Sequence, residues 1–195
     1  MARVARRNSR MLPLGTPAHR FALPDTVSGA TVALEDFASS PLLLLAFICN
    51  HCPFVKHILD GFVAFARDLG PRGLAVVAIS SNDAASYPDD APAAMAWVAN
   101  LKGFTFPYLY DESQEVARAY QAICTPDFFL FDRERRLAYR GQFDGSRPGN
   151  SVAVTGADLR AASEALLHGK RVPAEQLASV GCSIKWKSGR EPDWA

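Results

Sequence analysis

Two apolar runs dominate the chain, Leu42-Leu43-Leu44-Leu45-Ala46-Phe47-Ile48 and Leu74-Ala75-Val76-Val77-Ala78-Ile79. Neither alternates with polar residues, which is the pattern of strands buried on both faces of a sheet. Between them Phe54, Val55, Ile58, Phe62, Val63, Phe65, Ala66 and Leu69 recur at helical spacing and predict a helix from Cys52 to Leu69. Pro53 falls in its first turn, where the missing N–H costs nothing, and Gly70-Pro71-Arg72-Gly73 ends it. Upstream, His19–Leu23 and Ala30–Leu34 read as a hairpin, with Pro24-Asp25 and Ser28-Gly29 supplying the turn. Downstream the pattern predicts a polar loop over Ser81–Pro92, a helix over Ala93–Leu101, a strand at Tyr108–Tyr110 and a helix near Ser113–Tyr120. Asp127–Phe131 and Leu137–Arg140 form a second predicted hairpin, and a last helix opens at Thr155-Gly156-Ala157-Asp158 and runs to about His168. The resulting order, β-α-β-α-β-α-β-β-α, implies an α/β fold: a central mixed sheet, helices on both faces and an N-terminal β-hairpin extension.

At 195 residues the chain fits one domain with a sizeable core. Residues 1–12 are basic and weakly patterned and read as a flexible segment; 13–169 form the domain, and 170–195 a C-terminal tail packing on it. Lys plus Arg number 21 against 20 Asp plus Glu, a net charge of +1, so no nucleic-acid or anionic-membrane partner is expected. The run ending at Ile48 is too short to span a bilayer. Arg3, Arg6, Arg7 and Arg10 are followed by Pro13, Gly15 and Pro17 rather than by an apolar segment, so no secretory signal is expected. Four cysteines in a chain of this size do not make a disulfide-stapled scaffold, and a cytoplasmic location follows as the expectation.

The chemistry concentrates at Cys49-Asn50-His51-Cys52-Pro53, between the first apolar run and the helix. A helix N-terminus presents unpaired N–H groups and a positive dipole end, which favour thiolate, the nucleophilic form of cysteine. C-x-x-C at a strand-to-helix junction is a redox signal, with Cys49 attacking and Cys52 resolving. Inert buried thiols or half of a zinc site are the other readings. Zinc needs about four ligands, and His51 lies between the cysteines, poorly placed to join both on one ion, so no metal is assigned. His51 is the candidate pKa-tuning residue: an imidazolium beside Cys49 favours the reduced pair, unless it is an exposed, screened loop histidine. Thr125-Pro126, just before a strand, is a candidate cis peptide whose backbone receives a substrate strand, or an ordinary trans turn. Cys124 is a possible accessory redox thiol or a small buried hydrophobe, and Cys182 a second resolving thiol or a bystander. Asp83, Asp144 and Arg147 occupy loops after strands, where α/β sites tend to form, and loop solvation explains them equally well.

Leu42–Val55 followed by Thr125-Pro126-Asp127 resembles the thioredoxin-like superfamily. Gly15 to Phe37, reading G-x-x-x-x-x-F-x-L-P-D and then G-x-x-x-x-L-x-D-F, is similar to the opening of its redoxin branch, that of alkyl hydroperoxide reductase and thiol-specific antioxidant. A bacterial group with C-N-H-C-P-F-V shares S-S-N-D at Ser80–Asp83, T-P-D-x-F-L-F-D at Thr125–Asp132, S-R-P-G-N at Ser146–Asn150 and G-C-S-I-K-W-K at Gly181–Lys187. The resemblance implies a thioredoxin-like fold with cis Pro126. It also implies a thiol–disulfide oxidoreductase without an organic cofactor, taking a protein or small-molecule disulfide or a peroxide and recharged by a cellular thiol reductant such as the thioredoxin or glutathione system. The chain departs from the two family patterns. Ile48 and Leu43 stand where thioredoxins carry Trp and a buried Asp, and Cys49 stands at the Thr of the peroxidase pattern P-x-x-x-T-x-x-C. A thiol peroxidase and a redox-sensing or metal-handling module are the alternative functions.

Overall fold

The computed structural model describes residues 6–194, so the flexible segment expected over 1–12 lies, up to position 5, outside the described residues. The strands are β1 (Arg6–Asn8), β2 (Ala22–Pro24), β3 (Thr31–Ala33), β4 (Leu42–Phe47), β5 (Leu74–Ser80), β6 (Tyr108–Tyr110), β7 (Cys124–Thr125), β8 (Asp127–Phe131), β9 (Leu137–Tyr139) and β10 (Val180–Ser183). The helices are α1 (Pro53–Leu69), α2 (Pro92–Lys102), α3 (Glu115–Ala119) and α4 (Ala157–Leu167).

The central sheet has the order β6-β5-β4-β8-β9. β4 runs parallel to β5, and β5 to β6, whereas β8 is antiparallel to both β4 and β9. Both apolar runs lie inside this sheet, which explains their lack of alternation. On one side Leu42, Leu44 and Ala46 meet Phe62 and Phe65 of α1, Met95 of α2 and Leu159 of α4. On the other, Leu43, Leu45 and Phe47 meet Phe21, Val116 and Ala117 of α3, and Tyr120. Each large apolar side chain fully withdrawn from water contributes roughly 1.5–3 kcal/mol. β4 is therefore fixed from two sides, and so is the loop that leaves its C-terminal end.

β2 and β3 form the hairpin, antiparallel with Leu23 opposite Val32. A separate three-stranded sheet has the order β1-β10-β7, all antiparallel. The basic N-terminal stretch is thus not free over its described part. Arg6, Arg7 and Asn8 pair with Cys182, Gly181 and Val180, and Ser9 exchanges hydrogen bonds with Ser179. Their order comes from this distant pairing rather than from a local pattern, so nothing in the local sequence announces it. Among the described residues no helix is long and apolar enough to cross a membrane.

Candidate active site

Chain direction places the two motif cysteines. β4 delivers Ile48 and Cys49 from the sheet, and Cys52 is the extended residue before Pro53, at φ −67° and ψ 123°, from which α1 starts. The Thr125–Pro126 bond is cis, between β7 and β8, and puts Thr125 over both sulfurs. Cys49 Sγ lies 3.3 Å from Thr125 Oγ1, and Cys52 Sγ donates to the Thr125 carbonyl at 3.1 Å. Cys49, Cys52, Thr125 and Pro126 are therefore brought together. Behind the turn, Asp127 and Arg140 form a fully buried ion pair at 2.5 Å.

The loop between the cysteines is braced by a residue the sequence reading did not select. Asp90, fully buried at the end of a single 3₁₀ turn (Pro88–Asp90), accepts the Asn50 and His51 amides on Oδ1, at 2.7 and 3.2 Å. Its Oδ2 takes His51 Nδ1 at 2.5 Å and Asn82 Nδ2 at 2.7 Å. Burial works against this carboxylate's charge, but the His51 and Asn82 bonds outweigh it and hold the pKa below the ordinary range. His51 also stacks on Tyr87, with ring centroids 5.1 Å apart. Asn82 belongs to the S-S-N-D motif, the one sequence signal that pointed toward this brace. Cys49, His51 and Asp90 place three metal-capable atoms within 4.8 Å of one another, yet Asp90 already carries four hydrogen bonds. A brace accounts for that cluster.

All four cysteines are free and buried. The Cys182 thiol first, then the Cys49 thiol and the Val55 amide of the first helical turn, draw the Cys52 pKa down. Cys49 is pushed up by burial, by its bond to Cys52 and by the Asp90 charge. Both sulfurs stand near the helix end, Cys52 three residues closer to it. His51 is bound to Asp90, and the Asp90 carboxylate acts on Cys49, upward.

Access favours the other cysteine. An apolar cavity of about 140 Å³ opens on Cys49, lined among others by Ile48, Val55, Leu59, Trp97 and Leu101. Trp97 and Leu101 are 64% and 62% exposed and form its rim. Thr125 does not offer a free strand edge, since β10 pairs with it, with Cys182 opposite Thr125 and Ser183 opposite Cys124. The expected docking edge is filled by the chain itself. Cys124 is kept neutral by burial and by Asp127, and its thiol turns toward the Pro126 carbonyl at 3.7 Å. Asp144 accepts the amides of Ser146, Thr155 and Gly156, Arg147 bonds the Asp144 and Ser146 carbonyls, and Asp83 holds Ser86. These three residues organise their own loops.

Residues 14–140 match the AhpC/TSA family. The chain belongs to it. Among solved structures, this AhpC/TSA protein is 53% identical to an uncharacterized conserved protein of Geobacillus kaustophilus, over 94% of this chain and 97% of that one, with a TM-score of 0.92. It is also 53% identical to a hypothetical protein of Sinorhizobium meliloti, over 93% and 99%, again at 0.92. The thioredoxin domain of a thiol-disulfide oxidoreductase from Bacteroides vulgatus shares the fold at 16% identity and a TM-score of 0.56, over 67% of this chain and 89% of that one. No curated protein matches the chain. This AhpC/TSA chain has a thioredoxin-like fold and a thiol-based redox function.

Proposed function

We propose that the protein is a thiol–disulfide oxidoreductase in which Cys49 and Cys52 cycle between dithiol and disulfide. The observation that carries this reading is the meeting of both sulfurs on Thr125, at 3.3 and 3.1 Å, at the start of α1. Cys49 borders the apolar cavity and Cys52 stands at the start of α1, and the two divide the work. As Cys49 attacks a disulfide R–S–S–R′, the R–S–Cys49 bond forms, R′S⁻ leaves and takes up the proton that Cys49 gave up. Cys52 then loses its proton and attacks the Cys49 sulfur, closing Cys49–Cys52 and releasing RS⁻, which takes that proton. The substrate gains two electrons and the dithiol loses two. A cellular thiol reverses the change, in the reducing cytoplasm we assign to the protein.

The small apolar cavity at Cys49 favours a compact disulfide as substrate. With 2-hydroxyethyl disulfide as substrate and glutathione with glutathione reductase as recycling system, the wild type is expected to turn over. Cys49→Ser and Cys52→Ser are both expected to fall to the protein-free rate. Hydrogen peroxide consumption faster than disulfide reduction would replace this reading with the peroxidase one, and a stoichiometric metal in the reduced protein would replace it with a metal-handling one.

A further inference from the structure

Cys52 has a sulfur neighbour on each of two sides. One is Cys49; the other is Cys182, brought in on β10. Cys182 stands opposite Thr125 across the β7–β10 ladder, and Cys52 Sγ lies 3.1 Å from the Thr125 carbonyl oxygen. Cys182 is 2% exposed and belongs to the same packed core as Cys49 and Cys52.

The backbone is built to hold it there. β10 lies opposite β7 with Cys182 facing Thr125, the residue on which both other sulfurs rest. Gly181 is pressed so closely on the cis peptide that a Cβ would stand 1.9 Å from the Thr125 carbonyl oxygen and 3.0 Å from Pro126 N. Only glycine permits that approach. Ser179 Oγ bonds the Pro126 carbonyl at 2.9 Å, the Ile184 amide bonds the Ile123 carbonyl at 3.0 Å, and the Lys185 amide reaches Asn82 Oδ1 at 2.8 Å. The same Asn82 holds Asp90, so one residue ties the tail to the brace under the Cys49–Cys52 loop. Cys124, by contrast, sits one register position along and turns to the Pro126 carbonyl, so the sulfur that Cys182 faces is Cys52.

We propose that Cys182 is a third redox thiol, which competes with Cys49 for Cys52 and passes the disulfide from Cys49–Cys52 to Cys52–Cys182. The inference rests on the Cys49–Cys52 reading. In the exchange the Cys182 thiolate attacks the Cys52 sulfur, the Cys52–Cys182 bond forms, and Cys49 leaves as thiolate and takes the proton Cys182 gave up. No electron enters or leaves. Its result is to move the oxidised bond away from the cavity and return Cys49 to it as a free thiol, with Cys52 as the pivot. Cys182 would otherwise be a passive hydrogen-bond donor to Cys52, and disulfide mapping separates the two roles.

The reduced full-length protein is treated with one equivalent of diamide, quenched in acid, alkylated with N-ethylmaleimide and mapped as non-reduced peptides. The wild type is expected to contain both Cys49–Cys52 and Cys52–Cys182 disulfides, and Cys49→Ser to form Cys52–Cys182 within one chain. A wild-type map with Cys49–Cys52 alone, together with free Cys52 and Cys182 in Cys49→Ser, would overturn the proposal; the wild-type arm stands even where a variant folds poorly. Cys182→Ala is expected to keep Cys49–Cys52. Loss of that bond in folded Cys182→Ala, with Cys52–Cys182 still formed in Cys49→Ser, would instead bring down the dithiol reading and leave the contact between Cys52 and Cys182 standing.

Discussion

Each oxygen of Asp90 takes two hydrogen bonds from the residues around the motif, so the carboxylate shapes the site before its charge acts on it. Asp90→Asn keeps the shape but puts an amide N–H₂ where two donors already point. A buried donor left without its acceptor costs about 1–3 kcal/mol, and that is the expected loss in urea unfolding near neutral pH. The folded pKa of Asp90 is depressed, so its contribution is fully present above the unfolded value of about 4 and is lost as pH falls through the folded value. The stability gap between wild type and Asp90→Asn should therefore narrow as pH falls from about 4; a gap that stays constant through the acid range would remove the charge from the account. The same variant takes a negative charge away from Cys49, and iodoacetamide should label Cys49 faster than in the wild type.

Gly181 carries the corresponding lesson for elements. A methyl group there meets backbone rather than a yielding side chain, so Gly181→Ala must push β10 off β7. Overpacking of this kind typically costs about 1–3 kcal/mol, and amide hydrogen exchange should rise across β1, β7 and β10 while β4, β5 and β8 stay protected. Uniform change across all strands would mean that the small sheet is not a separate unit. These are also the elements the sequence hid. β4, β5 and α1 are legible because their burial writes a pattern into consecutive residues, and Cys49 and Cys52 because their chemistry needs a fixed spacing, whereas cis Pro126 comes from the family resemblance. β1 reads Arg-Arg-Asn and β10 Val-Gly-Cys-Ser; neither alternates, and they are strands because β1 lies beside β10 and β10 beside β7. Asp90 was hidden for a similar reason. It comes from a polar, turn-rich loop, and its partners Asn50, His51 and Asn82 are neighbours only after folding.

Taken as one molecule, the protein is expected to favour its reduced state. The Cys182 and Cys49 thiols and the Val55 amide all favour charge on Cys52, and oxidation to a disulfide abolishes that charge. The reduced form should unfold at higher urea concentration than the disulfide form. Each roughly 1.4 kcal/mol of difference raises the potential by about 30 mV, placing the pair above thioredoxin's value of about −270 mV. An oxidised form that is the more stable of the two would contradict the charge distribution drawn here. The hydrogen bond between Ser9 and Ser179 joins positions 170 apart in sequence, and the strand it anchors delivers Cys182. Closing so long a loop costs entropy that is recovered only when the partners on both sides are already in place. The surroundings of the thiols are thus assembled from segments far apart in sequence, and a chain in which those segments have not met carries ordinary cysteines.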